Sequence, residues 1–248
     1  MSNSLQGQCA LVTGAAKRVG AAIARALHRE GADLAIHFRG SEREANALRD
    51  ELNSTRTDSA QTFRADLSEL PQIESLLDDV VRWSGGLNIL VNNASSFYPT
   101  PLGSVTEEQW DDILGSNLRA PLFLSQAALP HLKAAHGNIV NIVDIHAQRP
   151  LRHHPAYGAA KAGLGMFTRS LAKDLAPEVR VNGVAPGAIM WPEDGMTDRV
   201  KEIILKQIPL GRQGQPEDIA SAVLFLVRDA SYVTGQIIAI DGGRSVGW

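Results

Sequence analysis

The sequence predicts a single α/β domain built on a doubly wound, seven-stranded parallel sheet with helices on both faces. Three observations carry this expectation. Short Val/Ile-rich runs alternate with helical stretches along all 248 residues. Several of those runs are apolar at every position, as strands covered on both faces must be. No linker, low-complexity tract or repeat divides residues 1–248, and a hydrophobic content of 44% is enough for one large core.

The elements follow in order. A first strand over 9–13 runs directly into a glycine-bearing turn and a helix over 20–30, closed by Gly31. A strand over 33–38, a helix over 41–53 and a strand over 60–65 come next. Ser68, in Ser-Glu-Leu-Pro, is the expected cap of a helix over 71–83. After a strand over 88–92, Thr106 and Gln109 form a capping-box pattern that opens a long helix over 106–132. A strand over 138–143, a helix over 157–175 and a strand over 180–184 lead into the least patterned stretch, 186–196. Its two prolines, two glycines and Trp191 suggest a long irregular loop and a candidate lid over a ligand. A helix over 215–229 and a strand over 236–240 complete the pattern.

Composition narrows the function. A net charge of -3 and the lack of a basic stripe point away from nucleic acid and from membrane surfaces. The lone cysteine, Cys9, excludes disulfides and cysteine-based zinc clusters and is expected as a small buried hydrophobe. No apolar run approaches the roughly 18 residues of a membrane span. The opening residues lack a signal-peptide pattern, so a reducing cytoplasm is the expected location. His153 and His154 are expected in solvent or at a pocket edge, with no carboxylate at metal-ligand spacing.

Two segments carry the chemistry. In Thr13-Gly14-Ala15-Ala16-Lys17-Arg18-Val19-Gly20, Gly14 permits a tight turn and Gly20 permits close helix–strand packing. The helix that follows offers free N–H groups and a positive dipole end to a pyrophosphate. The second strand ends His37-Phe38-Arg39-Gly40-Ser41. It lacks the acid that would accept from a ribose 2′-hydroxyl, while Arg39 and Ser41 can donate to a 2′-phosphate. NADPH is therefore the expected cofactor. Farther on, Tyr157 and Lys161 stand four residues apart on one helix face. An ammonium beside a phenol lowers the phenol's pKa from about 10 and makes it a general acid near neutrality.

The order and spacing of Thr13–Gly20, Asn92-Asn93-Ala94, Asn117, Tyr157/Lys161 and Pro186-Gly187 resemble the short-chain dehydrogenase/reductase family over essentially the whole chain. The resemblance implies a Rossmann-type fold and a homotetramer packed through the helices at 106–132 and 157–175. It implies a catalytic set of Asn117, Tyr157, Lys161 and the residue 13 before the tyrosine. It also implies cofactor contacts from Gly14, Arg18, Val19, Gly20, His37, Arg39, Ser41, Asp66, Leu67, Asn93, Ala94, Ser95, Tyr157, Lys161, Pro186 and Gly187.

Two departures refine the resemblance. Arg18 replaces the middle glycine of the turn, and Asp144 replaces the serine that donates to a substrate carbonyl. An ionised carboxylate only accepts, so it suits the N–H and amino groups of a nitrogen heterocycle better than a ketone oxygen. With Ser95-Ser96-Phe97 after the fourth strand, these residues resemble the pteridine reductase subgroup. There Phe97 would stack on the pteridine, and Arg18, Ser95, Asp144 and Tyr157 would also hold it. Asn117 would support Lys161 through backbone and water. Gly40 between Arg39 and Ser41, and the short spacing from Tyr98 to Thr106, differ from the protozoan members and suggest a compact bacterial type. The implied reaction is NADPH-dependent reduction of a ring C=N, dihydropterin to tetrahydropterin, with biopterin or dihydrofolate as candidates. The alternatives are a 3-oxoacyl-carrier-protein or other carbonyl reductase, which calls for serine at position 144, and a non-catalytic NADPH-binding sensor.

Overall fold

The computed structural model describes residues 4–191 and 196–246. Its strands are β1 (Cys9–Val12), β2 (Asp33–Phe38), β3 (Ala60–Arg64), β4 (Ile89–Asn92), β5 (Asn138–Ile142), β6 (Arg180–Pro186) and β7 (Ile237–Ile240). They form one parallel sheet in the order β3-β2-β1-β4-β5-β6-β7. The winding direction reverses between β1 and β4, which opens a crevice at the carboxyl ends of those two strands.

The central strands are apolar throughout because alternate residues feed two cores. Val12, Val91 and Val140 join Ile23 and Leu27 of helix α1 (Arg18–Arg29), together with Leu48 and Leu52 of α2 (Glu42–Thr55). Leu11, Leu90 and Ile139 face Ile73 and Leu77 of α3 (Leu70–Ser84) on the opposite side. Each fully buried aliphatic side chain contributes about 1.5–3 kcal/mol. Cys9 is buried as expected, and burial pushes its thiol pKa up to about 11.

Four local expectations need correction. Ser68 does not cap α3: the cap position is Glu69, and Ser68 N–H and Oγ instead bind Asp66 Oδ1 at 3.0 and 2.8 Å. The helix expected over 106–132 is three pieces: α4 (Glu107–Leu114), a π-helical turn over Gly115–Arg119, and α5 (Ala120–Ala134). Thr106 and Gln109 do form the capping box that opens it. After α6 (Pro155–Leu175) and β6, the chain forms an unexpected helix, α7 (Asp198–Lys206), which buries no residue fully. The expected helix 215–229 is α8 (Pro216–Leu224) followed by a π-helical turn over Phe225–Asp229. Within the irregular stretch 186–196, residues 192–195 lie outside the described residues, and so does that part of the expected lid. No helix among the described residues is long and apolar enough to cross a membrane.

Candidate active site

A cleft of about 820 Å³ runs along the carboxyl ends of the strands. That lies within the range of roughly 300–1,000 Å³ typical of small-molecule sites. Its floor is the turn between β1 and α1. Gly14 has φ +61°, and a Cβ there would press on Ala94 Cα at 3.0 Å. A Cβ on Gly20 would collide with Gly14 O and come within 2.7 Å of Asn93 Nδ2. Asn93 closes the turn by donating from Nδ2 to Thr13 O at 2.8 Å and Gly14 O at 3.1 Å. Thr13 Oγ1 in turn accepts from the N–H groups of Asn93 and Ala94 at 2.9 and 3.0 Å. These bonds tie the β1 and β4 loops across the crevice.

The first turn of α1 has no side-chain cap and no acid, so its N–H groups remain open to an anion. Arg18 keeps the left-handed backbone of the glycine it replaces, at φ +52°. A non-glycine residue pays about 1–2 kcal/mol for that conformation. The open N–H groups, the glycine cradle and the length of the cleft fit a dinucleotide pyrophosphate.

His37 was expected to touch cofactor, and the structure gives it a second task. It lines the cleft but is 2% exposed, with both ring nitrogens engaged. Nδ1 accepts from Gly14 N–H at 3.1 Å, so Nε2 carries the proton and donates to Ala65 O at 3.1 Å. Burial pulls its pKa down to about 4. Arg39 is 62% exposed, and its Nη1 lies 3.9 Å from Asp112 Oδ1, a contact sequence reasoning did not anticipate. Asp66 and Leu67 line the same end of the cleft. Ser41 does not line it; Gly40 carries Ser41 on to the cap position of α2.

At the other end, α6 and the loop after β5 bring Tyr157 and Asp144 together. The Tyr157 phenol, 5% exposed, donates to Asp144 Oδ2 at 2.8 Å. Asp144 Oδ1 accepts from His146 N–H at 2.8 Å, which holds the carboxylate in place. Lys161 stands over the Tyr157 ring as the spacing predicts, but burial and Asp144 raise the phenol pKa where the lysine was expected to lower it. Lys161 Nζ donates to Ile142 O at 2.8 Å and sits 5.7 Å from the Tyr157 ring centroid. Burial, followed by the Asp144 charge, raises the Tyr157 pKa well above its ordinary value. Burial also lowers Lys161 to about 8, with Asp144 opposing the drop. The phenol is therefore held protonated, as a donor.

Asn117 is fully buried in the π-helical turn. Its Nδ2 donates to Ser96 O at 2.9 Å and Ile113 O at 3.0 Å, while its Oδ1 accepts from Ser95 Oγ at 2.7 Å. Its side chain therefore anchors the Ser95–Ser96 segment. Phe97 follows, 52% exposed, edge-to-face with Tyr157 at 4.8 Å. His154, expected in solvent or at a pocket edge, stacks on Phe97 at 4.8 Å with planes 16° apart. The ring is thus held between two neighbours and still half open to the cleft.

Val19, Ala94, Ser95, Pro186 and Gly187 also line the cleft, whereas Asn117 and Lys161 stand behind its surface. Arg244, Asp112 and His146 line it without having been anticipated, and Trp191, expected in the lid stretch, lines it too. Among the described residues, no three His, Cys, Asp or Glu side chains are grouped to hold a metal ion.

Comparison with known proteins places this geometry in a family. A family model described as Enoyl-(Acyl carrier protein) reductase matches residues 14–245. A 3-oxoacyl-[acyl-carrier-protein] reductase of Staphylococcus aureus is 37% identical across 94% of this chain and 96% of its own. Pteridine reductase 1 of Leishmania tarentolae is 37% identical across 99% of both chains. A crystal structure from Sinorhizobium meliloti 1021, described as a short-chain alcohol dehydrogenase, superposes with a TM-score of 0.93 at 33% identity over 100% of both chains. With the seven-stranded sheet and the Tyr157/Lys161 helix in place, the chain belongs to the short-chain dehydrogenase/reductase family of oxidoreductases.

Proposed function

We propose that this chain reduces a pteridine ring with NADPH, adding hydride to a ring carbon and a proton to the adjacent nitrogen of a C=N bond. The observation that carries the reading is the carboxylate of Asp144, 2.8 Å from the Tyr157 phenol where a carbonyl reductase calls for a hydroxyl. An acceptor there matches ring N–H and amino groups and opposes a developing alkoxide. The exposed face of Phe97 supplies a platform for a flat ring. The 37% identity to the Leishmania pteridine reductase supports the same reading.

NADPH when bound supplies the hydride. Gly14, Gly20 and the open N-terminus of α1 hold its pyrophosphate, with Val19, Asn93, Ala94, Pro186 and Gly187 lining its path. Arg39 takes the 2′-phosphate, with Asp66 and Leu67 at the adenine edge. Tyr157 keeps a proton at Oη and delivers it to the ring nitrogen, directly or through water. Asp144 accepts from the ring and orients it, with Arg18 and Ser95 at its polar edge. Lys161 holds the ribose side of the nicotinamide. Asn117 fixes Ser95 and Ser96 so that Phe97 is presented. A homotetramer through the outer faces of α5 and α6, in a reducing cytoplasm, fits the same reading.

A second reading, 3-oxoacyl-carrier-protein reductase, is favoured by the staphylococcal relative. The two separate in one assay: NADPH turnover with dihydrobiopterin, dihydrofolate, dihydromonapterin and an acetoacetyl thioester side by side. Faster turnover of a pterin supports the first reading, and faster turnover of the thioester supports the second.

A further inference from the structure

Two cations that line the cleft have no task in the chemistry above: Lys17, which is paired with Glu44, and Arg244. Arg244 follows β7 in Asp241-Gly242-Gly243-Arg244, and it lines the same cleft as Asp144, Tyr157 and Phe97. Its backbone is held firmly. Asp241 Oδ1 accepts from Gly243 N–H at 2.9 Å, and its Oδ2 accepts from Ser245 N–H at 2.7 Å. Gly242 and Gly243 have φ +64° and +87°, and Cβ atoms there would press on Ile208 Cγ2 at 2.7 Å and Pro209 Cγ at 2.9 Å. The turn is wedged against the segment that follows α7, and only glycine fits the wedge.

The guanidinium itself is under-used. It donates once, to Gln207 Oε1 at 3.1 Å, and among the described residues no carboxylate forms an ion pair with it. Burial lowers its pKa, while the charges of Asp144 and Asp241 oppose the drop. It remains a cation throughout the working range of a protein. Among the described residues most of its five N–H donors have no partner, and such a half-buried guanidinium is matched to an incoming oxyanion.

Sheet topology decides which molecule that oxyanion belongs to. Arg39 follows β2, next to the β3 edge, whereas Arg244 follows β7 at the opposite edge. Five inter-strand steps of roughly 4.8 Å put about 24 Å between β2 and β7. Arg244 therefore serves the end of the cleft that holds Asp144 and Tyr157, not the 2′-phosphate end.

We propose that Arg244 is a specificity residue that selects substrates carrying an anionic arm, a carboxylate or phosphate attached to the group that is reduced. That the reduced group is a pteridine rests on the reading above; the preference for an anion does not. The test pairs an anionic with a neutral member of each class: dihydrofolate with dihydrobiopterin, and acetoacetyl-coenzyme A with ethyl acetoacetate. Calorimetry on NADP⁺-loaded protein gives a Kd for each, and KM follows where there is turnover.

The expected result is that wild type favours the anionic member of the pair it accepts. Arg244→Gln should reduce that anionic-to-neutral ratio by about tenfold or more, the loss of one charge-assisted contact. Arg244→Lys should restore part of it. The neutral member is the internal control for folding. If only the acyl pair binds, the pteridine reading falls and the arginine is judged on that pair. A wild type without anionic preference, or an Arg244→Gln ratio within twofold of wild type, overturns the proposal.

Discussion

The Tyr157 phenol donates its hydrogen bond to Asp144 Oδ2, 2.8 Å away, and not to anything on Lys161. Two groups able to carry a proton therefore share one bond at the wall of the cleft. Replacing Tyr157 with Phe removes the donor and leaves the shape. Turnover should fall by about 10² or more, the usual loss for a general acid, while NADPH binding, read by fluorescence titration, stays within about threefold. Because the Asp144 charge helps to raise the phenol pKa, Asp144→Asn should move the Tyr157 ionisation to lower pH. Ultraviolet difference titration at alkaline pH checks the sign; an upward movement would contradict the geometry.

His37 ties the Gly14 turn to β3 through a neutral ring. Its folded pKa of about 4 lies below the ordinary value of 6.5. Between those values the unfolded chain binds a proton that the folded chain refuses, so stability falls as pH drops from 6.5 towards 4. The His37 contribution is fully present above 6.5. Urea unfolding at pH 7.5 and 4.5 should show a loss on acidification on the order of 1–3 kcal/mol larger in wild type than in His37→Gln. Equal losses would remove His37 from the account. His37→Gln should also weaken NADPH binding, because the turn loses one of its ties.

Arg39 stands open to solvent and only loosely held, with Asp112 at 3.9 Å. A weak partner leaves the guanidinium available to a phosphate. Arg39→Ala should raise KM for NADPH about tenfold, the loss of one charge-assisted contact, and change NADH use by less than twofold. Asp112→Asn should lower KM for NADPH, since the competing carboxylate is gone. Steady-state kinetics with both cofactors reads each outcome, and comparable use of NADH and NADPH by wild type would overturn the cofactor assignment.

The sheet was legible because Leu11, Leu90 and Ile139 alternate with Val12, Val91 and Val140 in runs with no polar face. Such runs fit a strand covered on both sides and little else. The short helix α7 was not legible: it runs only from Asp198 to Lys206, buries no residue fully, and follows a stretch without period. The break at Gly115–Arg119 was passed over although Gly115, Ser116 and Asn117 are weak helix formers and Pro121 follows, because the apolar pattern runs on through it. In the cleft, Gly14, Gly20, Asp144 and Tyr157 could be found because their spacing mirrors their function. Arg244 could not, and His154 was named for the pocket edge without its partner. Their places follow from long-range packing: Arg244 through the wedge of Gly242 and Gly243, and His154 through a stack on Phe97, 57 positions earlier in the chain. Helical spacing did place Lys161 over the Tyr157 ring; the hydrogen bond from its Nζ to Ile142 O at the end of β5 could not be read from the spacing.

The central claim is that the Asp144–Tyr157 pair makes this a site for a nitrogen heterocycle and not for a ketone. The most direct measurement is the ratio of kcat/KM for dihydrobiopterin to that for acetoacetyl-coenzyme A, with NADPH, in wild type and in Asp144→Ser. The account predicts a ratio above one in wild type and a fall of about a hundredfold in the variant, because a hydroxyl can donate to an alkoxide and the carboxylate cannot. A wild-type ratio below one, or a ratio unmoved by the substitution, would contradict it.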